Sequence, residues 1–86
     1  MGKLLVANWK MNCPAADWKA AVKKLAAAKP RGAEIVICPP FVCLEKIAVL
    51  LKKTGVKLGA QDVFWENNGA YTGEISAEML RSSGAE

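Results

Sequence analysis

Few side chains in this 86-residue sequence are equipped for chemistry, and the chain contains no histidine. The first candidates are Asn8 and Lys10, in the run Asn8-Trp9-Lys10 that follows a short apolar segment. An ammonium placed there can hold a phosphate or a carboxylate as a compact point charge, and the nearby amide can orient it. The competing reading is an ordinary loop lysine beside a strand-capping asparagine, and spacing alone favours it. Gln61 ends a later apolar run, where it either faces a site or satisfies a backbone group. Cys43 stands at a helix start, where the dipole can lower a thiol pKa, although a packing cysteine is the commoner case. The sequence has no triad, no glycine-rich phosphate loop and no carboxylate pair with arguable geometry.

These residues need elements to hold them. Lys3 to Asn8 and Ala33 to Cys38 are apolar runs without alternation, the pattern of strands covered on both faces. A third run, Val56 to Ala60, contains Gly59, which weakens it as a strand but permits close approach of a neighbouring backbone or ligand. Between the first two runs, Pro14 suits a first helical turn, and Trp18, Ala21, Val22, Leu25 and Ala26 fall on one helix face. Lys29-Pro30 and Gly32 end that helix. A second helix starts near Pro40, buries Leu44, Ile47, Ala48 and Leu51, and stops at Gly55, with Lys52 and Lys53 in its last turn complementing the dipole. The connections are short enough for right-handed parallel crossovers. In such a sheet ligands bind at the carboxyl ends of the strands, and Asn8-Trp9-Lys10 is the first of these ends.

Residues Asp62 to Glu74 change texture, with three aromatics, glycines and an Asn-Gly turn signal. They read as a long loop that either contacts a partner or packs on itself. Ser76 then caps a short helix carrying Met79 and Leu80.

Composition narrows the class. About half of the residues are apolar, which excludes disordered and collagen-like chains. The net charge of +4 comes from twelve dispersed Lys and Arg residues, so a solvated basic face is expected and nucleic acid is not. Cys13, Cys38 and Cys43 are odd in number and follow no signal-like opening, so three small buried or half-buried thiols in a reducing compartment are expected, with no disulfide framework. Their spacing suits no metal site. No apolar run approaches the ~18 residues of a membrane span, and a cytoplasmic protein is the default.

Two segments say more. V-A-N-W-K-M-N at Val6 to Asn12 resembles the first-strand motif of the triosephosphate isomerases, and G-A-Q-D at Gly59 to Asp62 followed by G-A-Y-T-G-E-I-S at Gly69 to Ser76 resembles their third strand and third loop. C-P-P at Cys38 to Pro40 is similar to the turn after their second strand. Cys13 follows Asn12 where the family usually has glycine. The resemblance covers nearly the whole chain. It implies an α/β fold, the N-terminal portion of a TIM barrel ordered strand-helix-strand-helix-strand-loop-helix, with residues 1–86 one partial domain of three β/α units, incomplete by itself.

The resemblance further implies that Asn8 and Lys10 bind substrate and that Lys10 is the catalytic-site cation. It implies that Thr72 reaches into a neighbouring subunit, that Glu74 and Gln61 support this contact, and that Met11 and Asn12 receive the partner's loop. The reaction it implies is interconversion of dihydroxyacetone phosphate and glyceraldehyde 3-phosphate through an enediolate, in glycolysis and gluconeogenesis, without metal or organic cofactor. This family is itself the standard worked case of a glutamate base beside a neutral histidine electrophile. The family carries these on its fourth strand and after its sixth, outside the segments matched here. The expected partners are therefore a triose phosphate, a complementary C-terminal barrel fragment and a second copy bound through the third loop, with the chain alone inactive. Two rivals are a non-catalytic truncated fragment acting only in assembly, and a different phosphate-binding α/β module in which Lys10 grips another ligand. The run N-W-K-M-N argues against the second.

Overall fold

The computed structural model describes residues 2–13, 18–28 and 31–86, with Trp18 described by its backbone alone. Three strands, β1 (Lys3–Asn8), β2 (Ala33–Cys38) and β3 (Lys57–Leu58), form one parallel sheet in the order β1-β2-β3. Helix α1 (Trp18–Ala27) connects the first two, α2 (Leu44–Leu51) the second two, and α3 (Ala77–Ser82) follows a long loop. The expected order of elements is present, and the first two strands coincide with the two apolar runs. β3 is shorter than the run Val56 to Ala60 that announced it. The expected helix start at Pro14 and the stop signal Lys29-Pro30 lie outside the described residues.

The core lies between β2, β3 and the helices. Ile35 and Ile37 of β2 meet Val22 of α1, Leu44, Ile47 and Leu51 of α2, Val56 and Leu58 at β3, and Leu80 of α3. Lys19, Lys23 and Lys24 remain outside, while Val22 is buried and Ala21, Leu25 and Ala26 are half-buried, so the spacing identified the inner face of α1 from Ala21 onward; the Trp18 side chain lies outside the described residues. Gly59 earns its place by contact: a Cβ there would lie 2.8 Å from Cys38 Sγ and 3.0 Å from Val36 Cγ1. The nearest atoms are side chains and not the backbone or ligand that its sequence position suggested, because the Ile37 carbonyl oxygen stands further off, at 3.9 Å.

Three expectations are corrected. β1 is not covered on both faces: Leu4, Leu5 and Val6 are 60%, 45% and 59% exposed. Among the described residues β1 pairs only with β2, and no layer lies across it, so its apolar side chains have nothing to pack on. The second correction concerns α2, which is preceded by one 3-10 turn at Phe41–Cys43 and ends at Leu51, leaving Lys52 and Lys53 past its last turn. The stop comes early because Thr54 folds back: its Oγ1 donates to Leu51 C=O at 2.7 Å and accepts from Val56 N–H at 3.1 Å. Gly55 has φ +78°, but it does not occupy the C′ position expected of it: the C-cap is Lys52, and the left-handed residue that follows it is Lys53, at φ +67°.

The third correction concerns the thiols. Cys13 and Cys43 are joined as a disulfide, their Cα atoms 6.7 Å apart, and only Cys38 is a free thiol. An odd cysteine count argues against a framework of several bonds, but it does not prevent two of three sulfurs from meeting where adjacent strand ends bring them together.

Candidate active site

The site is built at the carboxyl end of the sheet. Asn8 closes β1 opposite Cys38 of β2 in the parallel register, and the ladder continues one step further, with Trp9 N–H donating to Cys38 C=O at 3.1 Å. The chain then turns sharply. Lys10 has φ +54°, a left-handed conformation that costs a non-glycine residue roughly 1–2 kcal/mol. Such strain persists only where the surroundings determine it. Here Asn8 Oδ1 accepts from Lys10 N–H at 2.8 Å, and Asn12 Nδ2 donates to Trp9 C=O at 3.0 Å, so two asparagine side chains shape the turn from within. Asn8 is therefore more than a strand terminator: its amide sets the backbone from which the Lys10 ammonium extends into solvent.

Gln61 fixes the turn from outside. Its Nε2 donates to Lys10 C=O at 2.8 Å and to Cys38 C=O at 2.8 Å, so one amide ties the loop after β1 to the end of β2 from a position just past β3. Of the two readings left open for Gln61, the structure realises backbone satisfaction, and the backbone it satisfies carries the candidate cation. Asn8, Lys10, Asn12 and Gln61 are thus brought together. Met11 is 95% exposed.

Thr72 and Glu74 belong to a separate body. The loop from Asp62 is closed at its neck by a bridge between Phe64 and Ser76, with Phe64 N–H donating to Ile75 C=O at 2.8 Å. Within it Phe64 stacks on Trp65 with centroids 4.1 Å apart and tilts against Tyr71 at 4.6 Å. Glu74 N–H donates to Tyr71 C=O at 3.1 Å, which leaves Thr72 at an exposed tip. No hydrogen bond or ion pair among the described residues joins Thr72 or Glu74 to the Lys10 loop. At the base of this loop Ser76 caps α3 as its position suggested, its Oγ accepting from Met79 N–H at 3.2 Å.

The remaining polar chemistry lies away from the turn. Lys57 pairs with Glu34 at 3.1 Å on the exposed face of the sheet, and that hydrogen bond, with the charges of Glu34 and Glu86, raises the Lys57 pKa. Burial pushes the Cys38 thiol up. No group of three or more His, Cys, Asp or Glu side chains suited to a metal occurs among the described residues. No helix among them is long and apolar enough to cross a membrane.

With this geometry in place, comparison with known proteins is decisive. The family model described as triosephosphate isomerase matches residues 3–86. The chain belongs to the triosephosphate isomerase family. Over 81 residues it is 48% identical to a triosephosphate isomerase of Dictyoglomus thermophilum, a match covering 92% of this chain and 32% of that protein. A triosephosphate isomerase of Aquifex aeolicus is 43% identical over 88 residues, covering all of this chain and 36% of the relative. The chain therefore spans about a third of the length of the curated triosephosphate isomerases it matches. Its open three-stranded parallel sheet is the corresponding portion of a TIM barrel.

Proposed function

We infer that this chain supplies the phosphate-binding cation of a triosephosphate isomerase, with Lys10 and Asn8 at the substrate and the remaining barrel strands furnished by further polypeptide. The observation that carries the reading is the Lys10 turn, a strained conformation at a strand end held by Asn8 from one side and Gln61 from the other. The contacts hold the Lys10 backbone, so the point from which its ammonium reaches an anion is fixed before binding, while the side chain itself is ordered only when the anion arrives.

In the reaction assigned, a triose phosphate binds with its phosphate and carbonyl oxygen near the Lys10 ammonium. A base removes the proton beside the carbonyl, and the charge that develops on oxygen in the enediolate is stabilised by the ammonium. This chain holds no histidine, and no carboxylate lies at the Lys10 turn among the described residues, so the base and the electrophile come from the complementary portion. Residues 1–86 act as one partial domain. The Phe64-Tyr71 loop carries Thr72 to a second copy, a contact that Glu74 and Gln61 support, and Met11 and Asn12 of that copy help receive the loop. A cytoplasmic enzyme of glycolysis and gluconeogenesis, without cofactor, is the setting this reading implies.

The test is isomerase activity of the purified chain, alone and mixed with a polypeptide that begins at the family's fourth strand, with Lys10→Ala as control. Turnover only in the mixture, abolished by Lys10→Ala, is the expected result. Association of the two pieces without turnover overturns the catalytic assignment and leaves a role in assembly.

A further inference from the structure

The loop that carries Lys10 is fastened to the body of the molecule in two chemically different ways. Gln61 holds it through a hydrogen bond to Lys10 C=O, whose strength ordinary solution conditions scarcely alter. Three residues beyond Lys10 the fastening is covalent, through the sulfurs of Cys13 and Cys43. Cys43 is 5% exposed at the head of α2, anchored in the core with Leu44 and Ile47, whereas Cys13 is only half-buried. One end of the bond is therefore fixed to the rigid part of the fold, and the other lies on a loop within reach of solutes.

The placement follows from the sheet. Asn8 and Cys38 are register partners in adjacent parallel strands, and both cysteines lie five positions past them, from 8 to 13 and from 38 to 43. Equal excursions from paired strand ends return the two sulfurs to one place. Their Cα separation of 6.7 Å lies inside the roughly 4.4–6.8 Å that disulfides span without backbone movement. The third thiol is set apart from them, because Cys38 is buried with its sulfur against Gly59.

We propose that Cys13 and Cys43 form a reversible thiol–disulfide clamp, exchanging with small-molecule disulfides and thiols, that locks the Lys10 loop to the head of α2 when oxidised and releases it when reduced. In the oxidising direction the Cys13 thiolate attacks one sulfur of oxidised glutathione, forming a mixed disulfide and expelling one glutathione thiolate. The Cys43 thiol gives up its proton, attacks the Cys13 sulfur and expels the second glutathione thiolate. The two protons lost by the cysteines are taken up by the two thiolates, so the protein loses two hydrogens and one oxidised glutathione becomes two reduced molecules. A dithiol reverses the sequence, entering at the half-buried Cys13 side. The inference needs only the positions of the two cysteines and does not depend on the isomerase reading.

The test equilibrates the full chain with oxidised glutathione or with dithiothreitol, maps the thiols by alkylation and peptide mass, and follows amide hydrogen exchange over residues 9–13. The expected result is a loss of about 2 Da located to Cys13–Cys43, reversed by dithiothreitol, with Cys38 alkylated only after denaturation. Exchange over residues 9–13 is expected to be roughly tenfold slower in the oxidised chain than in the reduced one. Cys13→Ser, which leaves the buried Cys43 in place, is expected to show the faster rate in both buffers. Pairing of Cys38 with Cys43, the short-loop closure that an unfolded chain would favour, overturns the proposal. So do a mixed glutathione adduct that advances no further, disulfide-linked dimers, or exchange rates that ignore the redox state.

Discussion

β1 and β2 are both short apolar runs without alternation, K-L-L-V-A-N and A-E-I-V-I-C, and lie side by side in one parallel sheet, yet they occupy opposite environments. β2 has a strand on each side and helices packed on it, and Ile37 is 0% exposed. β1 is an edge whose Leu4, Leu5 and Val6 remain in solvent. An unalternating apolar run records the environment in which a strand is stable, and β2 finds that environment inside this chain while β1 does not. The surface left on β1 is also the kind of exposed apolar edge that recruits further strands. In a family whose curated members are about three times as long as the matched segment, that surface is where the rest of the barrel attaches under the reading proposed above.

The sharpest way to break this contrast is truncation on both strands. Ile37→Ala should cost about 2–5 kcal/mol, the usual penalty for emptying a filled core position, and lower the denaturant midpoint accordingly. Leu5→Ala in the same chain should change stability by about 0.5 kcal/mol or less, as at ordinary surface sites. If the two variants cost the same, β1 is buried in solution by association of copies and the contrast is wrong. Adding the complementary polypeptide should raise the Leu5→Ala cost toward that of Ile37→Ala.

The next effect tests what ties the strand ends together. Reducing the Cys13–Cys43 bond, which closes a sequence separation of 30 residues, should lower stability by about 2–4 kcal/mol, read as a shift in thermal midpoint between buffers with and without dithiothreitol. A smaller loss is expected from Gly59→Ala. The added methyl meets Cys38 Sγ and Val36 Cγ1, and overpacking of this kind costs about 1–3 kcal/mol. An unchanged denaturant midpoint would show that β2 and β3 pack less closely than described.

The smallest effect separates the two strands by pH. Burial holds the Cys38 pKa above its unfolded value, so the neutral thiol contributes stability that is fully present below the unfolded pKa and is lost as pH rises through the higher folded value. Alkaline titration of the unfolding midpoint should therefore show a downward slope that Cys38→Ala reduces. β1 carries no thiol, and Leu5→Ala should leave that slope unchanged.

Much of this arrangement was legible in the residues. The boundaries of β1 and β2, the buried stripe of α1 and the Ser76 cap all follow from local patterns that act within a few positions. Where reading failed, the cause was non-local. The exposure of β1 depends on which elements are present to cover it, and α2 ends at Leu51 because Thr54 folds back onto a carbonyl that propensity alone does not assign. Cys13–Cys43 was hidden by counting cysteines along the chain. The signal lay in their equal offsets from Asn8 and Cys38, which becomes visible only once the parallel register is known. Gln61 could be placed at a strand end, but its choice of Lys10 C=O depends on the left-handed turn that turns this carbonyl toward it.

That choice leaves Gln61 with a one-sided vocabulary. A primary amide has two hydrogens to give, and here both are committed, one to Lys10 C=O and one to Cys38 C=O. What Gln61 can still offer an incoming molecule is its carbonyl oxygen, a pure acceptor, beside the backbone of the residue whose ammonium is a pure donor. The strand ends thus present two complementary halves of a hydrogen-bonding grammar: a group that brings only lone pairs can address Lys10, and Gln61 answers only a group that brings a hydrogen.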